Sequence, residues 1–308
     1  MNEIINRNQT LATYRSEELI RDFLEYSDVK KTSEESYIKN LRPLFRYLAQ
    51  NGITQPTRAD IKAYREMLLE TKKETTVSAY MTTCRLFFKW TEKAGLYPNI
   101  ADRIKGAKVN ADFKKDNLTA SQVKEILQSI GQDTETGRRD YAMFLLMVVS
   151  GMRTCEVITA NIEDLTVRGN RTCINVKGKG RDGKDEYINI PAEVEQVIRK
   201  YLQGRDNTEP DAPMFTSTSN SNRGQRLTTR SIRRIIKNRM KSVGLDSERL
   251  TAHSTRHTAI TLALLQGESI EEAQVFARHR DVSTTMRYAH IIDKANNNCS
   301  SAIASAIL

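Results

Sequence analysis

A chain of 308 residues with 48 Lys and Arg against 38 Asp and Glu carries a formal charge of +10, which suits a polyanionic partner whose phosphate backbone sheds counterions on binding. Cys84, Cys155, Cys173 and Cys299 are far apart and form no CxxC pair, so neither a zinc site nor a disulfide scaffold is indicated. The N-terminus lacks a signal-peptide core, and the longest apolar run, Tyr141 to Val149, is about half of a membrane span. A cytoplasmic protein without a membrane partner is expected, long enough for two domains.

From Ser16 to about Lys93 the pattern is helical. Its best segment places Val77, Tyr80, Met81, Cys84, Phe87 and Phe88 on one apolar face, with Thr75 or Thr76 expected to cap its start and Gly95 and Pro98 to close it. Thr32 with Glu35 and Thr57 with Asp60 read as capping boxes of two earlier helices. Pro43 is expected to kink the first of these. Residues 1–104 are therefore assigned to a helical N-terminal domain, and the basic, aperiodic stretch "KGAKVNADFKKDN", 105–117, to a linker.

The second domain is expected over 118–308. Thr119 with Gln122 forms a capping box, and a buried helix follows through Tyr141 to Val149. In "TCINV" and "EYINI", Ile174, Val176, Ile188 and Ile190 alternate with polar neighbours, which predicts a small antiparallel sheet. Helical text returns after Thr228 and runs to Gly244, and Ser269 with Glu272 opens one more helix. The expected fold class is mainly α with a small antiparallel β-sheet.

Two motifs turn out to be decoys. The loop "GKGRDGKD", Gly178 to Asp185, follows a phosphate-binding P-loop for seven positions, but Asp185 stands where a Ser or Thr is needed and a strand pattern follows where a helix is needed. His253 and His257 have a metal-ligand spacing, yet Ser254 replaces the Glu of the hydrolase motif and Arg256 would repel a dication.

All the histidines fall between His253 and His290. On a helix, His253 and Arg256 point the same way. Arg offers a planar fork for two phosphate oxygens, and a neighbouring imidazole can donate a hydrogen bond or move a proton. Upstream, Gly151 can end the buried helix and expose Arg153. Downstream come His279 and Tyr288, with Thr284 or Thr285 expected to cap the turn that carries the tyrosine.

In order, spacing and flanking text this set resembles the tyrosine recombinase (phage integrase) family. "GMRTCEV" is similar to its first Arg box, "HSTRHT" to its second, and "TTMRYAH" to its nucleophile box. The resemblance is strong over Leu118 to about Ile292. The helical N-terminal region resembles the family's core-binding (SAM-like) domain, joined here to a mixed α/β catalytic domain.

The resemblance implies roles. Arg153 and Arg256 clamp the phosphate, Tyr288 forms a 3′-phosphotyrosyl link, Lys179 in the hairpin protonates the 5′-oxygen, and His253 and His279 assist. Glu156, His257 and His290 support the site. Lys177 and Lys184 remain rivals to Lys179, because a Gly-rich loop can present any of them. The phosphodiester energy stays in the covalent link, so no cofactor, ATP or metal is required.

There are departures from the family text. Ala277, Arg278, His279 and Arg280 stand where Leu-Gly-His-Ser is usual, and Arg278 replaces a glycine suited to positive φ at a cost of roughly 1 kcal/mol. Either the local backbone differs, or the two arginines add phosphate contacts. Thr255 and Ala252 are tolerable changes.

The expected partner is double-stranded DNA with inverted-repeat core sites, bound by a homotetramer linked through the tail "SSAIASAIL", with accessory directionality or host factors. Lys39, Arg42, Arg46, Arg85 and Lys89 in the first domain and Arg230, Arg233 and Arg234 in the second are candidate DNA contacts. With the clamp expected from the start of the chain, no arm-site domain is expected, and a simple mobile-element integrase or a Xer-like resolvase is the expected role. A type IB topoisomerase-like enzyme and a catalytically silent DNA-binding protein are the alternatives.

Overall fold

The computed structural model describes residues 16–108, 116–178, 183–295, 303–305 and 307. The chain divides into two compact units, Met1–Ala111 and Asp112–Leu308.

In the first unit, α1 (Ser16–Ser27), α2 (Lys31–Gln50) and α3 (Arg58–Thr71) each pack on α4 (Glu74–Lys93). The stripe read from the sequence explains why. Val77, Tyr80, Met81, Cys84, Phe87 and Phe88 are all buried, and Phe87 meets Phe23, Phe45 and Trp90 ring to ring. A polar link crosses this core, where Asn40 Nδ2 of α2 donates to Thr83 Oγ1 of α4 at 2.9 Å. The chain beyond α4 is fastened by arginines, with Arg65 Nη1 on Lys105 O at 3.2 Å and Arg85 Nη1 on Ile104 O at 2.6 Å.

Thr57 and Asp60 form the expected capping box of α3. Thr32 and Glu35 do not cap α2, because that helix already starts at Lys31 behind an extended Lys30. Thr75 and Thr76 likewise lie inside α4, which starts at Glu74. At both ends the extended backbone of a lysine sets the start, and no side chain supplies a cap bond. Helix α2 continues through Pro43. Of the expected linker, residues 109–115 lie outside the described residues.

The second unit contains α5 (Ala120–Ser129), α6 (Glu135–Ser150), α7 (Thr154–Thr159), a short 3-10 turn, β1 (Leu165–Arg168), β2 (Arg171–Val176), β3 (Glu186–Asn189), α8 (Ala192–Gln203), α9 (Thr229–Lys241), α10 (Ala252–Leu265), α11 (Ile270–Ala277) and α12 (Val282–Ala295). The sheet is antiparallel in the order β1-β2-β3, with Leu165 opposite Ile174 and Ile174 opposite Ile188. Ile174, Val176, Ile188 and Ile190 join the main core, as their alternation predicts. Strand β1 and helix α8 were not foreseen; "LTVR" is too short and too exposed to carry a pattern.

Helix α6 is the hub of this unit and touches α5, α8, α9 and α10. Its buried residues include Met143, Phe144, Leu146 and Met147. The capping boxes Thr119–Gln122 and Ser269–Glu272 are both formed. The architecture is mainly helical with one small antiparallel sheet. No helix among the described residues is long and apolar enough to cross a membrane. Most of the tail lies outside the described residues, and Ile303 and Ile307 within it are exposed.

Candidate active site

The site begins where α6 ends. Gly151 takes φ +60°, and a Cβ there would meet the Phe276 ring at 3.3 Å, so glycine both turns the chain and admits α11. Arg153 then enters α7 with its own amide on Glu156 Oε2 at 2.7 Å and its Nη1 on Glu156 Oε1 at 2.7 Å. Glu156 is 1% exposed, and a carboxyl group so deeply buried needs hydrogen-bonding or charged partners.

Helix α10 supplies Arg256, 2% exposed. Its Nη1 donates to Gly151 O at 2.7 Å, and its Nη2 donates to Ala277 O. These carbonyls belong to the C-terminal ends of α6 and α11, where backbone acceptors lack helical partners and the dipole is negative. One guanidinium thus ties three helices. Burial, with Arg153 and Arg278 nearby, pulls the Arg256 pKa down to about 10, against the opposing pull of Glu156 and Tyr288.

A third guanidinium, that of Arg278, joins the site. Arg278, just past α11, adopts φ 53° and ψ 47°, so the backbone keeps the positive φ of the glycine it replaces, at about 1 kcal/mol. Of the two alternatives expected for this stretch, a different backbone is not seen at Arg278, whose φ is positive. Its side chain turns inward, with Nη1 on Phe276 O at 2.9 Å and Nη2 on Glu156 Oε2 at 2.8 Å, while its carbonyl accepts from Arg153 Nη2 at 3.1 Å. Burial lowers its pKa. The sequence signal was an Arg where the family has Gly. Arg280 is exposed.

Tyr288 lies on α12, its ring among Ile260, Ala277, Leu264 and Phe276. Its hydroxyl meets His257 Nδ1 at 2.5 Å. Burial pushes the phenol up to about 12, with Arg256 pulling the other way. Burial, then His253, Arg256 and His279, brings His257 down to about 4. The proton therefore rests on the phenol at neutral pH, and the neutral ring accepts.

The other rings are close by. His253 sits edge-on to His257 with centroids 4.6 Å apart; it keeps an exposed edge, yet desolvation, Arg256, Arg153 and Arg233 lower its pKa. His279 lies 6.4 Å from the Tyr288 ring, nearly parallel to it. Its Nδ1 meets Thr285 Oγ1 at 2.9 Å, and burial followed by the repulsion of Arg256, Arg153 and Arg278 takes it to about 4. Neither Thr284 nor Thr285 caps α12, which starts at Val282. Asp281 does so through the Ser283 amide at 2.9 Å.

Arg153, Glu156, His253, Arg256, His257, His279 and Tyr288 thus come together around the ends of α6, α10, α11 and α12. His290 is exposed on α12. Lys179 lies outside the described residues. Of its rivals, Lys184 is ion-paired with the buried Asp164, and Lys177 is half-buried just beyond β2.

Among the other candidates, Lys39, Arg42 and Arg46 border one groove on α2. Arg42 is bound by Glu17 at 2.9 and 3.0 Å. Arg85 is engaged in fastening the chain beyond α4, and Lys89 is exposed. Arg230, Arg233 and Arg234 all stand on the exposed side of α9.

Comparison with known proteins gives a consistent picture. Residues 116–295 match the phage integrase family, and residues 18–96 match the phage integrase N-terminal SAM-like domain. Tyrosine recombinase XerC of Thermodesulfovibrio yellowstonii is 29% identical over 73% of this chain and 74% of its own length. Tyrosine recombinase XerC of Corynebacterium glutamicum is 28% identical over 90% of this chain and 88% of its own. Among solved structures, XerH site-specific recombinase bound to palindromic difH substrate in a post-cleavage complex superposes with a TM-score of 0.74 at 19% identity, covering 94% of this chain and 85% of that one. A lambda integrase dimer bound to a COC′ core site gives 0.70 at 18% identity, over 90% and 97%. The fold is that of a two-domain integrase-type protein. The chain belongs to the phage integrase, or tyrosine recombinase, family.

Proposed function

We propose that this chain is a site-specific DNA recombinase. It cleaves DNA through a 3′-phosphotyrosyl intermediate on Tyr288 and exchanges strands through a Holliday junction. The observation that carries this reading is the Tyr288 hydroxyl on His257 Nδ1 at 2.5 Å, close enough to Arg256 for the guanidinium to act on its proton affinity.

A phenol held near pKa 12 by burial attacks only as its proton leaves. In the step proposed, Tyr288 Oη bonds to phosphorus, the P–O5′ bond breaks, and the phenol proton passes to His257 Nδ1. The departing O5′ takes a proton from a lysine, for which Lys179 is the proposal. Arg153 and Arg256 hold the non-bridging oxygens, whose negative charge grows in the transition state, so fixed cations there lower the barrier. Religation runs the same steps in reverse with a 5′-hydroxyl as nucleophile. His253 and His279 assist by hydrogen bonding to the phosphate.

The remaining assignments are proposals of the same kind. Residues 1–104 form a core-site clamp joined through 105–117 to the catalytic domain at 118–308. Lys39 and Arg46 face DNA from the clamp, and the tail links a homotetramer on inverted-repeat sites. Relatives named XerC and solved XerH and lambda integrase complexes support recombination over simple relaxation. Chromosomal resolvase and mobile-element integrase are both compatible with this chemistry.

The test is covalent trapping. A pool of nicked duplexes with randomised inverted half-sites is incubated with the protein and run on a denaturing gel. Wild type yields a protein–DNA adduct, and Tyr288→Phe yields none; an adduct that survives the change removes Tyr288 as nucleophile.

A further inference from the structure

We infer that Arg278 is a positioning residue that sets the charge of the phosphate pocket by sharing Glu156 with Arg153. The inference rests on the recombinase reading and extends it to a residue outside the family's usual set. Two guanidinium groups, those of Arg153 and Arg278, bind one carboxylate, Glu156, whose charge also reaches a third, that of Arg256.

The geometry makes the network closed. Arg153 is held at one end by Glu156 Oε1, 2.7 Å from Nη1, and at the other by the Arg278 carbonyl, 3.1 Å from Nη2. The Arg278 side chain returns to the same carboxylate through Oε2 at 2.8 Å. Its side chain is 9% exposed, and Nε has no hydrogen-bond partner. A buried arginine with an unused donor in a left-handed backbone is costly on both counts, where glycine would be free of either cost.

The charge balance supplies a use. With Glu156 shared, the pocket is left with two positive charges; with glycine at 278 it would be left with one. A phosphodiester carries one negative charge, and its pentacoordinate transition state carries one more. The extra cation therefore acts on the transition state more than on bound DNA, and its loss falls on the rate of cleavage rather than on affinity.

Arg278→Gly separates this from a structural role, since glycine suits the backbone there and preserves the fold. With the nicked-duplex pool at saturating protein, Arg278→Gly should form adduct at least about tenfold more slowly than wild type, with non-covalent complex changed by less than about threefold. Arg278→Lys should recover part of the rate by restoring charge. A residue with no charge role predicts that Arg278→Gly cleaves at the wild-type rate whatever its melting temperature, and that result overturns the inference. So does equal slowing in the Gly and Lys variants, or a loss confined to binding.

Orthovanadate, whose trigonal-bipyramidal form mimics the transition state, gives a second readout without DNA. It should raise the melting temperature of wild type and Arg278→Lys more than that of Arg278→Gly; equal shifts count against the inference. If wild type forms no adduct but the vanadate difference persists, the recombinase reading fails while the charge role of Arg278 stands.

Discussion

Helices α9 and α10 lie in the same unit and use arginine in opposite ways. In α9, Ile232, Ile236 and Met240 face the core while Arg230, Arg233 and Arg234 face solvent. In α10 the first half is buried apart from His253, including Ser254, Thr255, Arg256, His257 and Thr258. Water already solvates the α9 cations, so folding changes little for them. The α10 cation has given up its water for fixed carbonyls, and burial, with Arg153 and Arg278 nearby, takes its pKa down to about 10. A desolvated cation is also one whose field reaches a substrate with little screening.

The sharpest way to break this contrast is Arg256→Ala. It strands the carbonyls of Gly151 and Ala277 and removes a transition-state donor, so adduct formation should fall on the order of 10³-fold and stability by about 3 kcal/mol. Denaturant unfolding and the denaturing gel report the two losses. Arg256→Lys keeps the charge without the two-ended fork and should fall between. Next in size is His257→Ala. If the imidazole takes the phenol proton, cleavage should slow on the order of 10²-fold, whereas a rate unchanged at neutral pH would return that role to His253 or His279.

The same contrast explains what could be read from the sequence. The α4 stripe and the alternating strands were legible because one face of each is apolar, and periodicity reports that directly. Helix α10 has no such face, and its polar burial only makes sense once the carbonyls of α6 and α11 and the ring of Tyr288 are placed beside it. The roster of Arg153, His253, Arg256, His279 and Tyr288 came from resemblance to a family, and spacing alone would have left each with an ordinary structural explanation. Two contacts were beyond reach: His257 on the phenol, across 31 positions of sequence, and Arg278 on Glu156, across 122. His290, two residues from Tyr288, is exposed on the same helix. The starts of α2, α4 and α12 were misjudged where a Thr looked like a cap but backbone geometry had already begun the helix.

Acid should expose the buried imidazoles. His257 and His279 titrate near pH 4 when folded against an ordinary value of 6.5. Between those values the unfolded chain binds protons that the folded chain does not, so stability falls as pH drops from about 6.5 toward 4 and is fully present above that window. Melting temperature across the window measures it, and His279→Gln, which cannot titrate, should show a smaller acid loss than wild type. A flat profile would mean that these rings are better solvated than their packing implies.

The smallest effects belong to α9, and they complete the contrast. Arg230→Ala, Arg233→Ala and Arg234→Ala each remove a cation that water already serves, so unfolding free energy should move by no more than about 0.5 kcal/mol. If these side chains meet phosphates, each change weakens binding alike across DNA sequences and lowers the slope of log affinity against log salt by about one. Cleavage of DNA already bound should hold at the wild-type rate for Arg230→Ala and Arg234→Ala. Arg233 differs from its neighbours because its charge reaches His253, and removing it lets that ring's pKa rise. A rate change in Arg233→Ala that follows the protonation of His253, with none in the other two, would mark where the solvated face of α9 ends and the desolvated pocket of α10 begins.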